Sequence, residues 1–378
     1  MAYFDNAAAA IPDMNAIATM NDYMRVYFYN PSGHYSKGRE TRGEIDKARK
    51  DVAYCINAAT PQDIIFTSGS TESNNIALQS FAKEGFKLFT TSIEHHAVLN
   101  VIPMFKDYAL INLKDGVIDV TQLEERLKNS PAPPIVSVMA VNNETGYVSP
   151  LKEIGALCKK YDAFFFCDAT QALGKIPIDV QKMHIDMLSG SAHKFGGVRG
   201  AGFLYANEEA RQILKPLVYG GGHENGFRSG TESAPLICAM SVALVAATKN
   251  INKNYKKMLE VMNYFKDSLL NLADNIHFNN EAQDASRSGI ISVRFDGIKS
   301  EELLEFIGNM NVSASAGSAC NSDSGKPSYV LTAIGLTEEE ANSTLRFSFN
   351  YQNTKEEVDY CINIIKMYYQ MYAIKLKQ

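Results

Sequence analysis

Short apolar runs alternate with helical periodicities between about residue 64 and residue 205. That alternation predicts parallel strands covered by helices on both faces. The expected strands are 64–67, 88–91, 109–111, 135–141, 163–168, 187–189 and 202–205, which gives an α/β fold with a mostly parallel seven-stranded sheet. Upstream, Ile45, Ala48, Val52, Cys55 and Ile56 recur at helical spacing and predict an amphipathic helix over 42–58 that packs on the sheet. After about residue 250 the pattern changes to strands over 290–295 and 345–349, a serine-led helix over 300–309 and a closing helix over 355–372. The division that follows is a large domain over 15–250 and a smaller α+β domain from 1–14 and 251–378, linked through a helical stretch over 235–270. Neither an internal repeat nor a Pro/Gly-rich linker interrupts it.

A chain of 378 residues suits one large and one small core better than a single core. With 21% charged residues and a net charge of -5, no polyanion-binding surface is expected, which argues against nucleic acid as a direct partner. No basic-then-apolar leader opens the sequence and no run approaches ~18 uninterrupted apolar residues, so the expectation is a cytoplasmic protein without a membrane partner. The six cysteines are dispersed, without metal-ligand or disulfide-framework spacing, and no metal is expected. Cys55, Cys158, Cys167, Cys238 and Cys361 sit in apolar or periodic surroundings and read as ordinary buried cysteines. Cys320 differs, because it lies in the polar run Ser318-Ala319-Cys320-Asn321-Ser322-Asp323-Ser324-Gly325 with nothing to bury it. A lone thiol there invites a chemical explanation.

In open parallel sheets, ligands collect at the carboxyl ends of strands. The 64–67 run is followed by Ser68-Gly69-Ser70-Thr71-Glu72-Ser73-Asn74, a small-residue turn whose free amides and hydroxyls suit a phosphate at a helix start. A capped helix reads the same way. No Gly-Lys-Ser/Thr follows, which argues against a nucleoside triphosphate site. Asp168 ends the apolar run 163–167, where an ionised carboxylate needs a cation or strong donors, and a positive group is expected opposite it. Gln171 could share that pocket. Ser191-Ala192-His193-Lys194 also follows an apolar segment, with Gly196 and Gly197 behind it, and places a lysine where backbone can approach a ligand closely. Such an amine can form a Schiff base, although a solvated loop lysine is the plainer alternative. His95, after the 88–91 run, is as compatible with a structural as with a catalytic histidine.

The ordered pieces extend further: Asn6-Ala7-Ala8, Asn30-Pro31-Ser32, Phe66-Thr67-Ser68-Gly69-Ser70-Thr71-Glu72-Ser73, Glu94-His95, Val141-Asn142-Asn143-Glu144-Thr145-Gly146, Asp168-Ala169-Thr170-Gln171, Gly220-Gly221-Gly222-His223-Glu224, Arg228-Ser229-Gly230-Thr231, Gly317-Ser318-Ala319-Cys320, Pro327-Ser328-Tyr329-Val330-Leu331 and Arg346-Phe347-Ser348. Nearly end to end, the chain resembles cysteine desulfurases of the NifS/IscS type, class V members of the fold type I pyridoxal-phosphate enzymes. The resemblance implies that Lys194 holds pyridoxal 5'-phosphate as a Schiff base and then moves protons. It implies further that Asp168 pairs with the pyridinium nitrogen, Gln171 bonds the phenolic oxygen and His95 stacks on the ring and assists proton transfer. Ser70, Thr71, Ser191 and His193 would hold the phosphate, with Thr231 reaching in from a second subunit of a homodimer. Asn143 would serve cofactor and substrate, and Arg346 would grip the carboxylate of L-cysteine in a bidentate fork. Cys320 would take the sulfur as a persulfide while alanine leaves, and pass it to an acceptor protein, an iron-sulfur scaffold or a tRNA-thiolation enzyme.

Two departures accompany the resemblance. Phe349-Asn350-Tyr351-Gln352 stands where the family often carries a glycine and a second arginine, and the sequence ends at Gln378 without the tail that docks iron-sulfur scaffolds. The resemblance therefore leaves open whether delivery is dedicated to such a scaffold. Rival activities in the same pocket are selenocysteine lyase, cysteine sulfinate desulfinase and, with no need of Cys320, an aminotransferase. A non-catalytic sulfur-transfer partner of the same fold is the rival from another class.

Overall fold

Phe164-Phe165-Phe166-Cys167 and Ile64-Ile65-Phe66 are apolar at every position because both faces of their sheet are covered. The computed structural model describes residues 1–279, 285–317 and 326–372. Among these, all seven expected runs form strands of one sheet, in the spatial order Ile64–Thr67, Gly202–Ala206, Met187–Ser191, Phe164–Asp168, Pro134–Met139, Lys87–Thr91, Tyr108–Ile111. Successive side chains leave opposite faces. Phe165, Val136 and Phe203 join one apolar cluster with Ile45 and Val52, whereas Phe166, Ile135 and Leu204 join another with Phe81.

One strand departs from the parallel reading. Gly202–Ala206 runs antiparallel to both of its neighbours, Ile64–Thr67 and Met187–Ser191. The link over 192–201 is too short for the crossover that a parallel return requires. The helix expected over 42–58 is longer at its start, running Ser36–Ile56, with Gly38, Thr41, Ile45, Ala48, Val52 and Ile56 on its buried face.

A second core surrounds the antiparallel strands Ile276–Phe278, Ile290–Phe295 and Thr344–Ser348 and includes Phe265, Phe295, Phe347 and Tyr369. The chain's start belongs to it. Ala2 and Phe4 are fully buried there, and Ala2–Tyr3 pairs in parallel with Val312–Ser313. Helices Ala234–Lys249 and Ile251–Leu270, bent by 72° at their junction, connect the two cores. Among the described residues no single helix is long and apolar enough to cross a membrane.

Candidate active site

Gly202 brings the antiparallel strand against the turn that follows Ile64–Thr67: a Cβ there would stand 2.5 Å from Gly69 Cα. The turn is thereby pinned at the carboxyl edge of the sheet, where helix Ser70–Lys83 begins and offers its first amides. Beside it opens a cavity of about 490 Å³ lined by all ten of Ser70, Thr71, His95, Asn143, Asp168, Gln171, Ser191, His193, Lys194 and Arg346. Thr231 does not line it and is exposed in the loop before helix Ala234–Lys249. Cys320 lies outside the described residues.

Asp168 is 5% exposed. Among the described residues it accepts from neutral donors: Asn74 Nδ2 donates to Oδ2 at 2.8 Å, Thr170 N donates to Oδ1 at 3.0 Å, and Thr170 Oγ1 also donates to Oδ1. Three such neutral donors satisfy a buried carboxylate without a salt bridge. Asn74, fully buried one helical turn after Ser70, is a site residue that the sequence reading passed over. Its signal was an amide among the apolar positions 76, 77, 78 and 81 of the same helix.

Lys194 closes the turn Ala192–Lys194 after strand Met187–Ser191, and its Nζ donates to Ala7 O at 2.6 Å and Ala8 O at 2.9 Å. Gln171 Nε2 donates to the same Ala7 carbonyl at 2.8 Å. His95 caps helix His96–Leu99, with Nδ1 accepting from Ala97 N at 3.1 Å. Burial lowers its pKa, reinforced by the charges of His96 and Lys194 and opposed by Asp168. His193, 3.0 Å from Ser191 Oγ through Nδ1, is held down to about 4 by burial, Lys194 and Arg199. Both imidazoles are therefore neutral near pH 7.

Arg346 reaches the cavity from strand Thr344–Ser348 of the second core. One guanidinium nitrogen pairs with Asp5 Oδ1 at 2.8 Å and another donates to Asn143 O at 2.8 Å. Among the described residues, Arg346 Nε and Asn143 Oδ1 are buried without hydrogen-bond partners, a donor and an acceptor on the wall of one cavity. Where the second arginine would stand, Asn350 Nδ2 donates to Asn6 Oδ1 at 2.8 Å, so an amide contact replaces a charge.

Five cysteines lie among the described residues. Cys158, Cys167, Cys238 and Cys361 are buried, while Cys55 is only half-buried, because it sits at the flank of its helix face. Burial raises the thiol pKa of each, to about 11 for Cys55 and about 12 for Cys238, and higher for the other three. None of these five is a ready thiolate.

The mixed sheet with its one antiparallel strand and the lysine that follows strand Met187–Ser191, beside the aspartate of the next strand, define a fold type I pyridoxal-phosphate enzyme architecture. Comparison with known proteins narrows the class. The family model described as aminotransferase class-V matches residues 2–361. A mitochondrial cysteine desulfurase of Eremothecium gossypii is 41% identical over 96% of this chain and 75% of its own length, and the cysteine desulfurase IscS of Rickettsia akari is 39% identical over 96% and 90%. Among solved structures, a NifS-like protein from Rickettsia africae superposes with a TM-score of 0.88 at 28% identity, covering 98% of this chain and 99% of that one. SspA in complex with cysteine superposes at 0.80 with 33% identity, covering 94% and 100%. The chain belongs to the class-V aminotransferase family and, within it, to the cysteine desulfurases of the NifS/IscS type.

Proposed function

We propose that the protein converts L-cysteine to L-alanine with pyridoxal 5'-phosphate as cofactor and Cys320 as sulfur acceptor. The observation that carries this reading is the convergence of Lys194, Asp168, His95 and Arg346 on one cavity, drawn from both cores. The residues present fit the cofactor. Lys194 supplies the amine for its aldehyde, and Asp168 the anion for a protonated ring nitrogen. The start of helix Ser70–Lys83, with Ser70, Thr71, Ser191 and neutral His193, supplies donors for a phosphate. When bound, pyridoxal phosphate provides an electron sink that weakens the bonds at the Cα and Cβ of an amino acid.

The protein's own groups do the rest. Lys194 Nζ would hold the cofactor's aldehyde carbon and would move a proton at the substrate carbon. His95 has Nδ1 committed to Ala97 N, so Nε2 is the ring nitrogen that would exchange a proton. Asn143 Oδ1 and Arg346 Nε, unpaired among the described residues, suit the amino-acid head group. The Cys320 thiolate would attack the substrate sulfur, so that one S–S bond forms as the C–S bond breaks, and Cβ keeps that electron pair and takes a proton to become the methyl group of alanine. On either side of residues 318–325, Ser328 Oγ donates to Glu144 Oε2 at 2.5 Å, and a Cβ at Gly317 would lie 3.4 Å from the same oxygen. Both flanks of the Cys320 segment therefore converge on the neighbour of Asn143.

The same reading includes the division into domains 1–14 with 251–378 and 15–250, a homodimer in which Thr231 serves the partner's phosphate, a cytoplasmic setting, and a sulfur-acceptor protein. The deciding experiment incubates the loaded enzyme with L-cysteine and measures alanine, sulfide and the mass of the Cys320 peptide. One added sulfur on Cys320 and loss of alanine production in Cys320→Ala are expected. Full alanine production by that variant under reducing conditions would overturn the assignment of Cys320.

A further inference from the structure

Lys175 stands four residues beyond Gln171 in the turn that follows strand Phe164–Asp168, on the wall of a second cavity of about 260 Å³ that Lys194, Asn6, Tyr255 and Asn350 also line. Its backbone is fixed by Gly174, which has φ +74 and is packed so closely on helix Ala234–Lys249 that a Cβ would meet Ala247 Cβ at 2.7 Å. Its Nζ donates to Gln171 Oε1 at 2.8 Å. Among the described residues no carboxylate pairs with it, and the charges closest in effect, Lys194 and Arg346, are of its own sign. Burial and these two cations lower its pKa to about 7. An amine among cations, with an amide oxygen rather than a carboxylate as its partner, is a costly way to hold a loop in place.

Its effect on Gln171 is specific. The two ends of a glutamine amide are nearly isosteric, and only their partners decide which end carries oxygen. Ala7 O can only accept, so it takes the NH2 end, and Lys175 takes the oxygen end. Lys194 shares Ala7 O and abandons it when its amine is engaged elsewhere, after which Ala7 O at the NH2 end and Lys175 at the oxygen end hold the amide.

We infer that Lys175 is a positioning residue for the cofactor: through Gln171 it keeps an N–H facing the main cavity, where the phenolic oxygen of pyridoxal phosphate is to be bound. The inference rests on the cofactor reading given above. The test uses the full-length holoenzyme and reads cofactor retention and the pH midpoint of the bound chromophore, alongside turnover. Lys175→Met should weaken retention of pyridoxal phosphate on the order of tenfold and raise the chromophore's pH midpoint, since a donor and a nearby cation are both lost. Lys175→Arg, which keeps the donor, should restore retention to within about twofold. In a Gln171→Ala background, Lys175→Met should weaken retention no further. If Lys175→Met proves unstable, Lys175→Leu replaces it, with the same loss of retention expected and wild-type retention again overturning the inference. Wild-type retention and midpoint in Lys175→Met overturn the inference, as does an undiminished effect without Gln171. A wild-type chain that gains no borohydride-reducible adduct overturns the cofactor reading itself, an outcome distinct from a variant that merely matches a loaded wild type.

Discussion

Glu94 precedes His95, and its carboxyl is wholly buried, with Thr91 Oγ1 donating to Oε1 at 2.8 Å. Burial, with a smaller push from Asp168, raises its pKa from 4.5 to about 8 against the pull of its hydrogen bonds. Across that window the folded chain holds a proton that the unfolded chain releases, so stability falls as pH rises from 4.5 toward 8. Glu94→Gln carries no such proton. Denaturation of both proteins across this range should show the variant gaining on the order of 3 kcal/mol relative to wild type toward the alkaline end. Equal pH profiles would show that the carboxyl is ionised in the fold. The sequence pointed to His95 but not to this acid, because nothing in the run 88–91 distinguishes a glutamate that turns inward from one that faces water. Asp168 was easier to read, since it terminates an unbroken apolar strand.

Among the elements, the strands were legible because sheet residues covered on both faces leave nearly unbroken apolar runs. The direction of Gly202–Ala206 was not, for a buried strand has the same composition whichever way it runs; only the short link over 192–201 carried that information. The early start of helix Ser36–Ile56 was hidden for a different reason. Its first turns, Ser36-Lys37-Gly38-Arg39-Glu40, are polar, and Gly38 is there because a Cβ would meet Gly33 O at 2.5 Å. Gly202 is similar, with backbone rather than a flexible side chain in the way. Gly202→Ala should therefore displace the turn at Gly69, with a loss of about 1–3 kcal/mol in denaturant unfolding and weaker retention of pyridoxal phosphate. Unchanged stability and retention would mean that strand and turn can separate at little cost. The loop that follows is anchored elsewhere: Arg49 forms two hydrogen bonds of 2.7 Å with Glu224, while Phe66 N donates to the same carboxylate at 2.8 Å. That anchorage holds the base of the loop that ends in Thr231.

For the whole molecule, the test of assembly is complementation. Neither Lys194→Ala nor Thr231→Glu should support turnover well alone, the first through loss of the covalent link and the second by placing a negative charge where phosphate binds. Refolded together, hybrid dimers would pair an intact Lys194 with an intact Thr231 at one of their two sites. Activity should recover toward about half that of wild type for each hybrid, and no recovery would argue that Thr231 serves its own chain or none. The two cores were visible in the sequence as a change of pattern near residue 250, with residues 1–14 grouped with 251–378, but the pairing of Ala2–Tyr3 with Val312–Ser313 was not, because Ala2-Tyr3-Phe4 is too short to show a period. That pairing has a kinetic consequence. Ala7 and Ala8 precede the whole sheet along the chain and hold the lysine at 194, yet the strand that fixes them pairs with Val312–Ser313 and their neighbour Asp5 pairs with Arg346. Contacts so distant along the chain close late in folding. A nascent chain would therefore complete its sheet well before it could order this lysine, and competence for chemistry would arrive only with the last strand.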